Sequence, residues 1–256
     1  MVQSASSHQQ AHHWEVSVAP MLIVGGVLFL VVFSFISWFS YSNKLMTIVC
    51  AGLGTPLLIA GIAKWTGEAL THEPVMEGLT PAALPLFIVS EVFIFLGLFV
   101  SYWTMRISAG PAWPPVGTPK EMNLVLPIIM TVILVASSFT YHVAEGKLEH
   151  GDKGGFRSWV FYSILLGLLF LGCTIYEYNH LLHQNFTPST NAYSTAFYAI
   201  TGFHASHVLV GLGVFLTVLI AAMKGLTNKY LTYCAGLYWH FVDIVWFFVA
   251  SQIYYW

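Results

Sequence analysis

Residues 81–105 read PAALPLFIVSEVFIFLGLFVSYWTM, a run in which Glu91 is the single charged side chain. A helix needs about 20 apolar residues to cross the hydrocarbon core of a bilayer. This run exceeds that length, so it reads as a transmembrane helix that tilts or projects beyond the lipid. Six further stretches share its character, at 20–39, 46–65, 124–141, 159–176, 193–223 and 231–255. Lipid offers no hydrogen bonds to the backbone, so spans must be helices or closed barrel strands. Barrel strands alternate apolar and polar residues over about ten positions, and these runs are continuous. The fold class is therefore all-α, a polytopic membrane protein with seven transmembrane helices.

Composition agrees. Of 256 residues, 57% are hydrophobic, 16% aromatic and only 8% charged. Soluble domains are about a quarter charged, so this chain lacks the residues to cover a water-facing globule. A formal charge of −2 leaves no basic footprint for nucleic acid. Cys50, Cys173 and Cys234 each stand alone in apolar runs and read as buried small side chains, not as a disulfide framework. Residues 1–19 are polar, contain no Lys or Arg, and do not resemble a signal peptide.

Trp38, Tyr41, Trp65, Trp103, Trp159 and Tyr255 lie at span edges, where amphipathic rings favour the headgroup level. With the N-terminus and even-numbered loops on one side, that side collects Lys64, Lys147, Lys153, Arg157, Lys224 and Lys229. The opposite side holds Lys44, Arg106 and Lys120. The positive-inside rule then places the N-terminus in the cytoplasm (or matrix) and the C-terminus outside. The loops read as connectors, with a Pro-rich link at 109–119 and a charged turn at 145–155. A single membrane domain over 1–256 is the simplest organisation.

Ionisable groups at membrane depth are costly and mark candidate functional positions. Glu91 lies about ten residues into the third span, roughly 15 Å deep at 1.5 Å per residue. It reads either as a proton-relay or cleft-facing carboxyl, or as a carboxyl bonded to a neighbouring helix. His204 and His207 are spaced i, i+3 in the sixth span, and His240 and Asp243 repeat that spacing in the seventh. Three roles are open for them: metal or haem ligation, a proton wire, or interhelical hydrogen bonding. Glu177 sits between Tyr176 and Tyr178 near the end of the fifth span, with His180 and His183 following in the loop. His142 and His72 read as ordinary interfacial histidines. Phosphate-binding G-x-x-x-x-G-K-[ST], G-x-S-x-G and H-E-x-x-H patterns do not occur in the chain.

Four segments taken together resemble subunit III of the haem-copper oxidases. Ser90-Glu91-Val92-Phe93-Ile94-Phe95 is similar to that family's third-helix motif, and Tyr176-Glu177-Tyr178 to its fifth. Residues 199–208, AITGFHASHV, and 238–246, YWHFVDIVW, resemble its sixth- and seventh-helix signatures. The likeness runs in order from His12 to the C-terminus.

The resemblance implies a chain without a redox centre of its own, flanking catalytic subunits I and II. Haems and copper are expected in those partners, where oxygen is reduced to water. It implies a pair of helices and a bundle of five, separated by a V-shaped cleft that holds phospholipids. It further implies support of proton uptake, stabilisation of the catalytic subunit, and a lipid-filled route for oxygen. Glu91 matches the family's reactive membrane carboxyl near the cleft, and by the same resemblance is a lipid-binding candidate. Trp65, Glu68, His72 and Lys224 match lipid-headgroup positions, with Glu68 less securely aligned. In this light His204, His207, His240 and Asp243 become an interhelical polar network, and no metal is expected in the chain.

The loop containing Glu73-Pro74-Val75-Met76-Glu77 departs from the mitochondrial pattern, and residues 174–178 lean toward bacterial oxidases. A bacterial plasma membrane is the expected location, with the mitochondrial inner membrane as alternative. A subunit of a ubiquinol oxidase or nitric oxide reductase, a membrane cytochrome and an independent transporter are the competing functions. Membership of a respiratory supercomplex is left open. An ammonium beside a lipid phosphate makes a charge-assisted contact. Lys224→Ala is accordingly expected to lower the phospholipid retained by the purified complex, measured as lipid phosphorus per haem.

Overall fold

A computed structural model describes residues 17–39, 41–71, 80–119 and 124–255. Seven of its helices are long and apolar enough to cross a membrane, and no strand occurs among the described residues. The chain divides into two compact units at residues 74 and 75, the first holding two spans and the second five.

In the first unit, α1 runs as helix over Ala19–Val27, as a π-helical stretch over Leu28–Phe33, and again as helix over Ser34–Phe39. Pro20 sits in its first turn, where a missing amide hydrogen costs nothing. The Ser34 hydroxyl donates to the Phe29 carbonyl at 2.9 Å, five residues back, which suits the wider π turn. Asn43 caps α2, Lys44–Thr71, by accepting from the Met46 amide at 3.0 Å.

The two helices touch through glycine. A Cβ on Gly54 would lie 2.3 Å from the Leu30 backbone nitrogen, and one on Gly26 would lie 2.6 Å from that of Leu58. Without a hydrophobic drive between helices in lipid, such backbone contact supplies the dispersion that pairs them. At the end of the hairpin, Glu68 accepts from Ser17 at 2.6 Å and pairs with Lys64 at 3.4 Å.

The second unit comprises α3 (Thr80–Ala109), α4 (Val125–Glu149), α5 (Lys153–His183), α6 (Ala192–Met223) and α7 (Lys229–Ile253). Neighbours in sequence pack side by side from α4 to α7; α4 also packs on α7, and α3 joins through α6 and α7. Its most enclosed span is α7, which places Trp239 and Trp246 among fully buried side chains. Gly211 leaves room for Trp239, whose Cε3 would lie 2.7 Å from a Cβ there. Tyr141 of α4 stacks on Phe215 of α6 at 4.1 Å.

Several polar atoms in this core are paired across helices. Trp239 Nε1 donates to Ser137 Oγ and Trp246 Nε1 to Thr131 Oγ1, both at 2.9 Å. Tyr141 donates to the Thr232 carbonyl at 2.9 Å, and Thr140 meets Ser163 at 2.8 Å. Each such bond removes the cost of an unpaired polar group in an apolar setting. Hydroxyls on outer faces turn inward on their own helix instead. Ser90, Ser101, Thr104 and Thr217 each donate to a carbonyl three or four residues back.

The helices outrun the apolar stretches that predict them. The charged stretch at 145–155, expected as a turn, is helical except at residues 150–152, and His180 and His183 lie on α5, not in a loop. Hydropathy measures the width of the lipid slab, whereas backbone bonding continues into the headgroup layer. Asp152 stops the overrun by capping α5, its carboxylate accepting from the Gly155 amide at 2.8 Å. That bond and the Lys147 ammonium hold its carboxyl below the ordinary range for aspartate.

The glycine contact makes a direct prediction. Gly54→Leu meets backbone that cannot step aside, so its cost is expected to exceed the ~1–3 kcal/mol usual for overpacking. Gly52 faces open space within the chain, and Gly52→Leu serves as the control. Protease susceptibility of α1 in detergent is expected to rise for the first variant alone.

Candidate functional site

Glu91 and His207 meet where α3 packs on α6. Glu91 Oε2 lies 3.1 Å from His207 Nε2, with the two side chains only 14% and 11% exposed. Phe95 and Phe203 flank the imidazole at 5.1 and 4.6 Å between ring centroids. Phe95 is one turn beyond Glu91, and Phe203 one turn before His207, so helical geometry gathers all four side chains.

The other imidazole nitrogen determines the chemistry. His207 Nδ1 lies 2.9 Å from the Phe203 carbonyl oxygen, which can only accept. Nδ1 therefore carries a hydrogen. A hydrogen bond between Nε2 and Oε2 then takes one further proton, on the carboxyl of Glu91 or on the ring. Both placements leave the pair with no net charge, and no group without a partner. The backbone carbonyl thus sets the tautomer with which His207 meets Glu91, on two helices long and apolar enough to cross a membrane.

The other candidate residues fall into separate places. His240 Nδ1 lies 3.2 Å from Ser138 Oγ on α4, and the same hydroxyl is hydrogen-bonded to Asp243 Oδ2. Ser138 was invisible as a partner from the α7 sequence, although tandem serines inside an apolar span are a usable signal. His204 stands apart from the network expected of it. It is fully buried between the rings of Phe170 and Trp246, and neither of its nitrogens has a hydrogen-bond partner among the described residues.

Trp65 and Glu68 share α2, Trp65 being exposed, and Lys224 ends α6 in the open. His72 lies outside the described residues. Glu177 is buried and accepts from the Tyr254 hydroxyl at 2.6 Å, a pairing the sequence did not suggest.

A haem held by His204, His207 and His240 requires those rings to converge. They face α5 and α7, α3, and α4 respectively. Among the described residues no three of His, Cys, Asp and Glu gather as a metal site.

Comparison with known proteins decides the family. The family model for cytochrome c oxidase subunit III matches residues 9–256. The chain belongs to the cytochrome c oxidase subunit III family. Among its relatives, a probable cytochrome c oxidase subunit 3 from Nocardia farcinica is 40% identical, over 74% of this chain and 95% of the relative. The cytochrome c oxidase subunit 3 of a Synechocystis species is also 40% identical, over 73% and 80%. That of Loxodonta africana is 31% identical, over 98% and 99%. Membership makes this chain a multi-pass membrane component of an oxidase complex.

The subunit III pair of Glu91 and His207 separates charge from hydrogen bonding. Glu91→Gln retains a donor for Nε2 and is expected to leave thermal stability of the complex nearly unchanged. Glu91→Leu strands Nε2 and is expected to cost about 1–3 kcal/mol, read from the same melting curves.

Proposed function

We infer that the chain is the accessory third subunit of a proton-pumping, cytochrome c-linked oxidase in a bacterial plasma membrane. It flanks subunits I and II, which carry the haems and copper and reduce oxygen to water. The chain carries no redox centre. It stabilises the catalytic subunit, retains phospholipids, and supports proton uptake and oxygen access.

The observation that carries this reading is the Glu91–His207 couple, one acid and one base sharing a proton in a phenylalanine-lined contact. A group that can gain or yield a proton without stranding charge in lipid suits a subunit that assists proton movement while doing no electron transfer. Trp65, Glu68, His72 and Lys224 are the lipid-headgroup residues in this reading. An exposed indole and a terminal ammonium fit that role by residue type. The basic residues on the side of the N-terminus orient that end toward the cytoplasm. The 40% identity to bacterial subunits, against 31% to a mammalian one, supports the bacterial location.

Gentle detergent purification through this chain tests the reading. Co-purification of haem- and copper-bearing subunits is expected, with the visible haem spectrum lost when this chain is isolated alone. A solitary chain retaining haem would overturn it.

A further inference from the structure

We propose that Ser138, His240 and Asp243 form a second proton-holding site, at the contact of α4 and α7, in which Ser138 passes a proton between the imidazole and the carboxyl. None of these three side chains is hydrogen-bonded to Glu91 or His207.

Ser138 Oγ carries one hydrogen and meets two groups, His240 Nδ1 at 3.2 Å and Asp243 Oδ2 at closer range. A hydroxyl with one hydrogen cannot donate to both. If it donates to Oδ2, then Nδ1 must carry a hydrogen and donate to Oγ. If Oδ2 carries the hydrogen and donates to Oγ, the hydroxyl hydrogen turns to Nδ1, which accepts. These two arrangements differ by concerted shifts of two hydrogens along the line Nδ1, Oγ, Oδ2.

Starting from an imidazolium and a carboxylate, Nδ1 gives its proton to Oγ while Oγ gives its own to Oδ2. The products are a neutral imidazole protonated at Nε2 and a neutral carboxylic acid. No net charge is created, and the serine is unchanged. Starting instead from neutral imidazole and carboxylate, the triad takes up one proton from outside and reaches the same neutral state.

A further atom chooses between the arrangements. Asp243 is 7% exposed, and its Oδ1 is buried without a hydrogen-bond partner among the described residues. A carboxylate oxygen left bare in this way is costly, and the carbonyl oxygen of a carboxylic acid is less so. The arrangement with the proton on Asp243 is therefore the resting one. Glu145 and Tyr141 of α4 lie against Gly236, one turn before His240, and His142 is on the neighbouring turn of α4. Glu91 and His207 are engaged with each other.

Infrared difference spectroscopy on the purified oxidase complex tests the site. Asp243→Asn is expected to remove one carbonyl band of a neutral carboxyl, distinct from any band removed by Glu91→Gln. Ser138→Ala is expected to shift that carboxyl band and, together with it, the ring modes of isotope-labelled His240. Ser138→Thr, which restores a hydroxyl, is expected to return both. Loss of no neutral-carboxyl band in Asp243→Asn would overturn the proposal. So would a shifted carboxyl band with unchanged imidazole modes in Ser138→Ala, since Ser138 would then only brace Asp243. Should Asp243→Asn fail to assemble, the two Ser138 variants decide the matter by the same comparison.

Discussion

A polar atom facing hydrocarbon has no water to fall back on, and most of the internal order of the five-helix unit follows from that. Indoles, phenols and hydroxyls in its core reach across to a neighbouring helix, as Trp239 does to Ser137 and Tyr141 to the Thr232 carbonyl. Each bond also sets a rotation and a height of one helix against another. Apolar packing alone would tolerate slippage along α4, because successive leucine-sized ridges are alike. Polar partners at Thr131, Ser137, Ser138 and Tyr141 remove that freedom.

The two-helix unit meets the same constraint in the opposite way. Its contact places glycine against backbone, with Gly26 and Gly54 allowing an approach that any side chain would block. Small residues and close dispersion replace hydrogen bonds. The π-helical stretch in α1 and the Ser34 back-bond lie on the same hairpin, so its irregular backbone is satisfied locally. One chain thus uses both known solutions to helix association in lipid, each in its own unit.

The spans were legible in sequence because apolar length is a direct measure of bilayer crossing. Helix ends were not, since the apolar runs stop at Tyr141 and Tyr176 while the backbone bonding continues to Glu149 and His183. The candidate site was half legible. Glu91 declared itself by being charged in an apolar run, but its partner lies 116 residues away and no local pattern connects them. His204 and His207 were expected to act together because three residues nearly complete a turn. At about 100° per residue they still differ by roughly 60° around the axis, enough to send them to different neighbours. His207 reaches α3, whereas His204 enters the aromatic centre between α5 and α7. The pairing of His240 with Asp243 depends on Ser138, a residue of another helix that ordinary sequence inspection passes over.

The long separation between Glu91 and His207 bears on how the protein is made. Chains are synthesised at about 5–20 residues per second, so the 116 residues between them take on the order of ten seconds to appear. Throughout that interval α3 exists with its carboxyl and without its imidazole. Within the α4–α5 hairpin, by contrast, Thr140 and Ser163 meet across only 23 residues. Glu91 gains its imidazole partner only once the sixth helix has been made. Helix α3 waits longer still for the partner of Trp103, since Gln252 lies 149 residues on.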